Sequence, residues 1–341
     1  MQRIDEVPAL RLSPQALRLR QHPLIDRITD HTYAVKGGWA RTFVFLPDPR
    51  DKRCIIIDPG VSNSIEAAYR GSITRRLALL NDMLRGNGEI EALQERAKRL
   101  EFLRRLRTDL ELVDWKAADD RELFLERAAQ LASVVEETGL TVDLIIATHH
   151  HIDHLGIGAA LRDRLGVQEK VLIPDPGIFN RDKRRGDYQI ENTPEMYAQL
   201  DRRSESMGFS VIDISGHTTM VGFLLLDGTL IVGDLIGTEN MWKRTVMYME
   251  DAERHLRSLL TALGTDFRRI VLSHGKDYNL NVVKSRALLK VNIDRVFAAR
   301  RAAMRNDPIE AAEEYLGIDG KVGIADIGYT LLTAQHIGAY H

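Results

Sequence analysis

Residues 149–154 read His149-His150-His151-Ile152-Asp153-His154 and directly follow an apolar run of Leu144, Ile145, Ile146 and Ala147. The run has the length and composition of a buried strand. The turn after it carries the pattern His-x-His-x-Asp-His, with four potential metal ligands on one short stretch. Imidazole suits zinc, iron, cobalt and nickel, and a carboxylate widens the choice to harder ions. Core packing gains nothing from such side chains, which are costly to bury without partners. A strand ending in this turn therefore points to a metal.

Three further candidates repeat the arrangement. Ser215-Gly216-His217-Thr218 follows Val211, Ile212 and Ile214; Gly233-Asp234 follows Leu230, Ile231 and Val232; Ser273-His274-Gly275 follows Ile270, Val271 and Leu272. In layered α/β architectures, rigid strands hold functional groups on the loops at their ends. Four such ends in one chain form a series.

The set His149, His151, Asp153 and His154, followed in order by His217, Asp234 and His274, resembles the metallo-β-lactamase-fold hydrolase superfamily. Upstream, Cys54-Ile55-Ile56-Ile57-Asp58-Pro59-Gly60 resembles that family's strand ending in Ile-Asp-x-Gly. The resemblance covers about residues 30–60 and 140–280, and it implies an α+β fold, the αββα four-layer sandwich. It says little about substrate, because one site of this kind serves many reactions.

The resemblance also implies a division of labour. His149, His151 and His217 would form a three-imidazole set with one position open for water. Asp153, His154 and His274 would hold a second ion, and Asp234 would bridge the two. The expected cofactors are two divalent ions, zinc first, with iron or manganese as alternatives. The nucleophile is then a metal-bound hydroxide, with Asp153 and Asp234 as the catalytic carboxylates. His150 falls in a slot to which the family pattern gives no metal. Asp58 is similar to the family's aspartate that orients a ligand imidazole through its other ring nitrogen; a plain turn-forming Asp before Pro-Gly is the alternative.

Composition agrees with a globular enzyme. The chain has 341 residues, 44% hydrophobic and 28% charged, with a formal net charge of -2. That charge gives no electrostatic case for nucleic acid or an anionic membrane. The single cysteine, Cys54, excludes an intrachain disulfide, which suits a reducing cytosol. Its place in an apolar run marks a buried thiol. No signal-peptide core and no membrane-length apolar segment is apparent, so a cytoplasmic location is expected.

Residues 1–27 read as an N-terminal arm with a short helical pattern around Gln15 to Arg20, and strand-like runs follow at about 31–36, 41–46 and 53–58. Residues 61–140 form a helical insertion: Ile73, Leu77, Leu80 and Leu84 make one stripe, and Ile90, Leu93, Ala97, Leu100, Leu103, Leu106 and Leu110 another. The insertion could pack on its own domain, cap the site or carry a homodimer contact. Helical patterns return at about 282–304, 308–316 and 323–338. The expected domains are thus residues 1–280, catalytic, and 281–341, a helical C-terminal extension whose layout resembles that of glyoxalase II. His336 and His341, in that tail, read as packed or solvated histidines.

Substrate-contact candidates are Trp39, after Gly37 and Gly38, whose freedom would permit motion (a core tryptophan is the alternative), Arg181 in the basic stretch 179–185, and Trp242 beside Lys243 and Arg244. The expected reaction is hydrolysis of an ester-like bond (thioester, lactone or other activated ester) in a small molecule. Two alternatives use the same fold. A phosphodiesterase is one. The other is an iron persulfide dioxygenase, with His149, His217 and Asp234 as its facial set.

Overall fold

The computed structural model describes residues 11–63, 118–168, 171–172, 174, 204–236, 249, 251–275 and 277–303. The two stripes at 73–110, the candidates Arg181 and Trp242, and the helices expected beyond residue 303 lie outside the described residues.

The first sheet holds β1 (Ile25–Arg27), β2 (Thr32–Val35), β3 (Thr42–Phe45), β4 (Arg53–Ile57) and β5 (Thr141–Ile146), in that order. The second holds β6 (Phe209–Asp213), β7 (Val221–Leu225), β8 (Thr229–Ile231), β9 (Arg269–Val271) and β10 (Asn279–Asn281), hydrogen-bonded in sequence order. The two sheets repeat one scheme. Antiparallel neighbours precede a single parallel pair, β4 with β5 in one sheet and β8 with β9 in the other.

The helices are α1 (Pro14–Gln21), α2 (Ala118–Thr138), α3 (Ile152–Leu155), α4 (Gly158–Leu165), α5 (Ala252–Gly264) and α6 (Val282–Ala303). Their starts follow from local chemistry. Ser13 caps α1 by accepting the Ala16 amide at 3.1 Å, with Pro14 at the first position. Asp251 caps α5 by accepting the Arg254 amide at 2.8 Å.

Three apolar clusters define the layers. Phe43, Phe45, Ile55, Ile57 and Leu144 from the first sheet meet Phe209, Val221, Phe223, Ile231 and Val271 from the second. On the outer side of the first sheet, Val44, Cys54, Ile56 and Ile145 pack against Leu19 of α1, Leu131 and Val135 of α2 and Leu161 of α4. On the outer side of the second, Leu230 and Ile270 pack against Leu256 and Leu259 of α5 and Leu289, Ile293 and Val296 of α6. This is the α+β sandwich of four layers, αββα. Strands covered on both faces lose polar alternation, and all four residues of β2 and of β3 are buried.

Three local findings amend the sequence reading. Residues 1–27 are not all an arm, because Ile25–Arg27 is an edge strand paired antiparallel with β2. Three residues are too few to show periodicity. At the end of the stretch read as an insertion, α2 is itself the sandwich's outer helix over the first sheet. The first helix of the expected extension, α6, shares one core with the second sheet and α5.

Cys54 is fully buried, and desolvation pushes its thiol far above the ordinary range. Iodoacetamide at pH 8 is therefore expected to leave the native chain unlabelled and to modify it once it is unfolded in denaturant, as intact-mass spectra would report. Stoichiometric native labelling would contradict the packing of β4.

Candidate metal centre

The four loops that carry the candidate ligands leave the C-terminal ends of β5, β6, β8 and β9, and the loop after β4 carries Asp58. Because β6 and β8 both run antiparallel to β7, their ends share one rim with that of β9. The rims of the two sheets are tied together where the Val221 amide donates to the Thr148 carbonyl at 3.0 Å.

At this rim the ligand atoms of His149, His151, His217 and Asp234 lie within 4.8 Å of one another, as do those of Asp153, His154, Asp234 and His274. Asp234 is common to both sets. Its Oδ1 lies 3.2 Å from His154 Nε2 and 3.3 Å from His274 Nε2, while its Oδ2 lies 3.6 Å from His217 Nε2. Asp153 Oδ2 is 3.1 Å from His274 Nε2, and His217 Nε2 is 3.0 Å from His151 Nδ1.

One network orients two of these rings. Asp58 accepts the Thr148 amide at 2.7 Å, and its Oδ2 accepts from His154 Nδ1 at 2.9 Å. The Thr148 hydroxyl lies 3.0 Å from Asp58 Oδ2 and 3.0 Å from His149 Nδ1. A hydroxyl has one proton. With that proton donated to the Asp58 carboxylate, Thr148 in turn accepts from His149 Nδ1–H. His149 is thereby left with a bare Nε2 aimed into the cluster, and the Nε2 of His154 faces Asp234 there. Asp58 itself adopts a left-handed backbone, φ 52°, and is fully buried. A non-glycine residue held in that region is uncommon. The sequence reading passed over Thr148; its only signal was its place immediately before His149.

Burial, with added repulsion from neighbouring imidazoles, holds His149 and His151 well below the usual histidine range. They are neutral, which ligation requires. Burial alone would lower His154 and His274 as well. The carboxylates of Asp234, Asp58 and Asp153 outweigh it at His154 and raise that ring well above the ordinary value, while Asp234 and Asp153 bring His274 to about 9. Burial would raise Asp234, but His274 and His154 hold it well below the carboxylate range.

The donor set fits divalent metal. His149 Nε2, His154 Nε2 and Asp234 Oδ1 are buried, face the cluster and have no hydrogen bond of proper geometry. Buried polar atoms are nearly always satisfied, so orphans converging on one point are the mark of an ion-binding cluster. Glycines let the loops close around it. At Gly60 (φ +64°) a Cβ would lie 2.5 Å from the Asp153 carbonyl oxygen, and at Gly216 (φ +143°) it would lie 2.3 Å from His255 Cα.

The other candidates fall outside this cluster. His150 is half-buried and belongs to neither ligand set. Trp39 is half-buried and packs against the apolar cluster on the outer side of the first sheet.

A two-sheet sandwich whose strand ends gather five histidines and two aspartates is the architecture of a divalent-metal-dependent hydrolase. The model for the metallo-beta-lactamase superfamily matches residues 114–274, a stretch that carries all seven candidate ligands, and the chain resembles that superfamily. A hydroxyacylglutathione hydrolase of Xanthomonas axonopodis pv. citri is 28% identical over 208 residues, which cover 58% of this chain and 75% of the relative. Another from Albidiferax ferrireducens is 31% identical over 111 residues, covering 30% of this chain and 37% of the relative. A solved archaeal metallo-beta-lactamase superfamily protein from Sulfolobus tokodaii is 13% identical with a TM-score of 0.43, covering 90% of this chain and 98% of its own.

Proposed function

We propose that the chain hydrolyses a thioester or another activated ester of a small molecule at a dinuclear centre, with zinc as the metal. The observation that carries this reading is the division of the Asp234 carboxylate, one oxygen toward His154 and His274 and the other toward His217. The thioester preference rests on the relatives, which are named hydroxyacylglutathione hydrolases.

In this reading His149, His151 and His217 hold one ion, Asp153, His154 and His274 hold the other, and Asp234 joins them. Bound divalent ions supply Lewis acidity and lower the pKa of bound water toward neutrality. The chain supplies everything else. Asp58 and Thr148 fix the tautomers of His154 and His149, as buried partners of ligand imidazoles do. Asp153, beside His274 at the start of α3, is the carboxylate that would carry a proton from the attacking water to the leaving group. The fully buried rings of His149 and His154 keep bulk water from the inner side of the cluster.

The competing reading is a single-iron persulfide oxygenase on His149, His217 and Asp234. These three do share one cluster, but Asp153, His154 and His274 then have no task. Apo-protein is to be reconstituted with zinc, manganese or iron(II) and given a hydroxyacylglutathione thioester, a lactone, a phosphodiester and glutathione persulfide, with oxygen uptake followed in parallel. Two ions per chain, ester cleavage by the zinc form and no oxygen consumption are expected. Oxygen uptake with persulfide by the iron form, and no ester cleaved by any form, would overturn the hydrolase reading. Cleavage of the phosphodiester alone would move the substrate class.

A further inference from the structure

We infer that Arg41 is a positioning residue for His274, and through it for the second of the two ions; this rests on the dinuclear reading above. Arg41 lies in the connection between β2 and β3, in the opposite half of the sandwich from the loop it grips. Its backbone amide donates to the Ser273 carbonyl at 2.8 Å, and its guanidinium reaches that same carbonyl through Nη1 at 3.4 Å. Nη2 donates to the Gly275 carbonyl. One guanidinium therefore binds the carbonyls on both sides of His274. The ligand imidazole projects from the single residue between the two points of attachment.

The hairpin between β9 and β10 explains why such a clamp matters. Its base closes where the Leu272 amide donates to the Tyr278 carbonyl at 2.9 Å. Beyond that bond, His274 stands on a tip that includes Gly275 in a left-handed conformation, φ 86°. A tip of this kind has many backbone states open to it, and fixing each residue costs about 1–2 kcal/mol. The clamp lifts that burden from the ion. The guanidinium is itself fixed from below, with its central carbon 3.8 Å from the centre of the Tyr278 ring. The Tyr278 hydroxyl donates to Asp26 Oδ2 at 3.4 Å, and Asp26 is paired with Lys36 at 3.0 Å. A planar fork meets two carbonyls and stacks on a ring at once, which a lysine ammonium cannot do.

His149, His151, Asp153 and His154 come from the one stretch after β5, and His217 from the loop after β6; the hydrogen bonds of the clamp go to the loop of His274 instead. Loss of the clamp should thus act on the second ion and spare the first. Zinc titration of apo-protein by calorimetry, with cobalt(II) absorption as a check, is to be run on wild type, Arg41→Met, Arg41→Lys and His274→Ala. Wild type should take two ions. Arg41→Met should keep the first within about threefold and weaken the second by about 10–100-fold, the usual effect of removing an outer partner of a ligand. Arg41→Lys should fall on the same side, because charge without the fork does not bridge two carbonyls. On the His274→Ala background, Arg41→Met should change metal binding less than about twofold, since coupled residues are not additive.

A structural role alone would weaken both ions together and would act equally with or without His274; either result overturns the inference. So does a second ion bound by Arg41→Met as in wild type. Should Arg41→Met fail to fold, Arg41→Lys decides on the same criteria. If wild type itself takes one ion, the dinuclear reading falls and the clamp's role with it. If wild type takes two and the variants do also, the clamp alone is refuted.

Discussion

Replacing Asp234 with Ala should reduce turnover by at least about 10³-fold and take the chain from two bound ions to fewer than one. The expectation follows from where its oxygens lie, 3.2 and 3.3 Å from the Nε2 atoms of His154 and His274 on one side and 3.6 Å from that of His217 on the other. Removing the carboxylate deprives both ligand sets of a member and brings buried imidazoles into mutual repulsion. A thousandfold loss corresponds to about 4 kcal/mol, the several kcal/mol expected of metal-assisted charge stabilisation. Asp58→Asn should be milder, within about 10–100-fold, because it disturbs the orientation of His154 and His149 without removing a donor. Metal content by elemental analysis and thioester cleavage check both. Residual activity above a tenth in Asp234→Ala would remove this residue from the centre. Equal and complete loss in both variants would mean that Asp58 is itself a ligand.

Gly216→Ala should be the most destabilising small substitution near the site. A Cβ there would lie 2.3 Å from His255 Cα and 2.4 Å from its backbone nitrogen, and the backbone has φ +143°. Both close atoms belong to the first turn of α5, which cannot give way like a flexible side chain. The amide of Asp251, the cap of that helix, donates to the Gly216 carbonyl at 3.0 Å, so the two segments are locked. Overpacking costs about 1–3 kcal/mol and a strained backbone about 1–3 more. A loss of roughly 3 kcal/mol should lower the melting temperature by about 5–10 °C. His217 is the next residue, so the set containing His149 and His151 should lose metal affinity at the same time. Melting within about 2 °C of wild type, with full metal loading, would show that α5 moves freely from this loop.

Much of the molecule could be read along the chain. The runs at 31–36, 41–46 and 53–58 are β2, β3 and β4, and the apolar residues before His149, Asp234 and His274 end β5, β8 and β9. These were legible because a strand buried on both faces must be apolar throughout, and because ligand residues have no other reason to follow such runs. The strands β1, β7 and β10 were not recognised. Three residues such as Asn279–Asn281 carry no pattern of their own, and Val221–Leu225 ends at no ligand that would draw notice.

The sequence by itself determined which imidazoles and carboxylates follow strand ends, and in what order, because such side chains stand out directly after apolar runs. Only the tertiary structure decided how they are shared. It alone turned the two oxygens of Asp234 toward different histidines, set Thr148 between Asp58 and His149, and laid Arg41 across the carbonyls that flank His274. Those relations join residues up to 234 positions apart. They arise where the rims of two sheets meet, from contact geometry that neither local propensity nor spacing encodes.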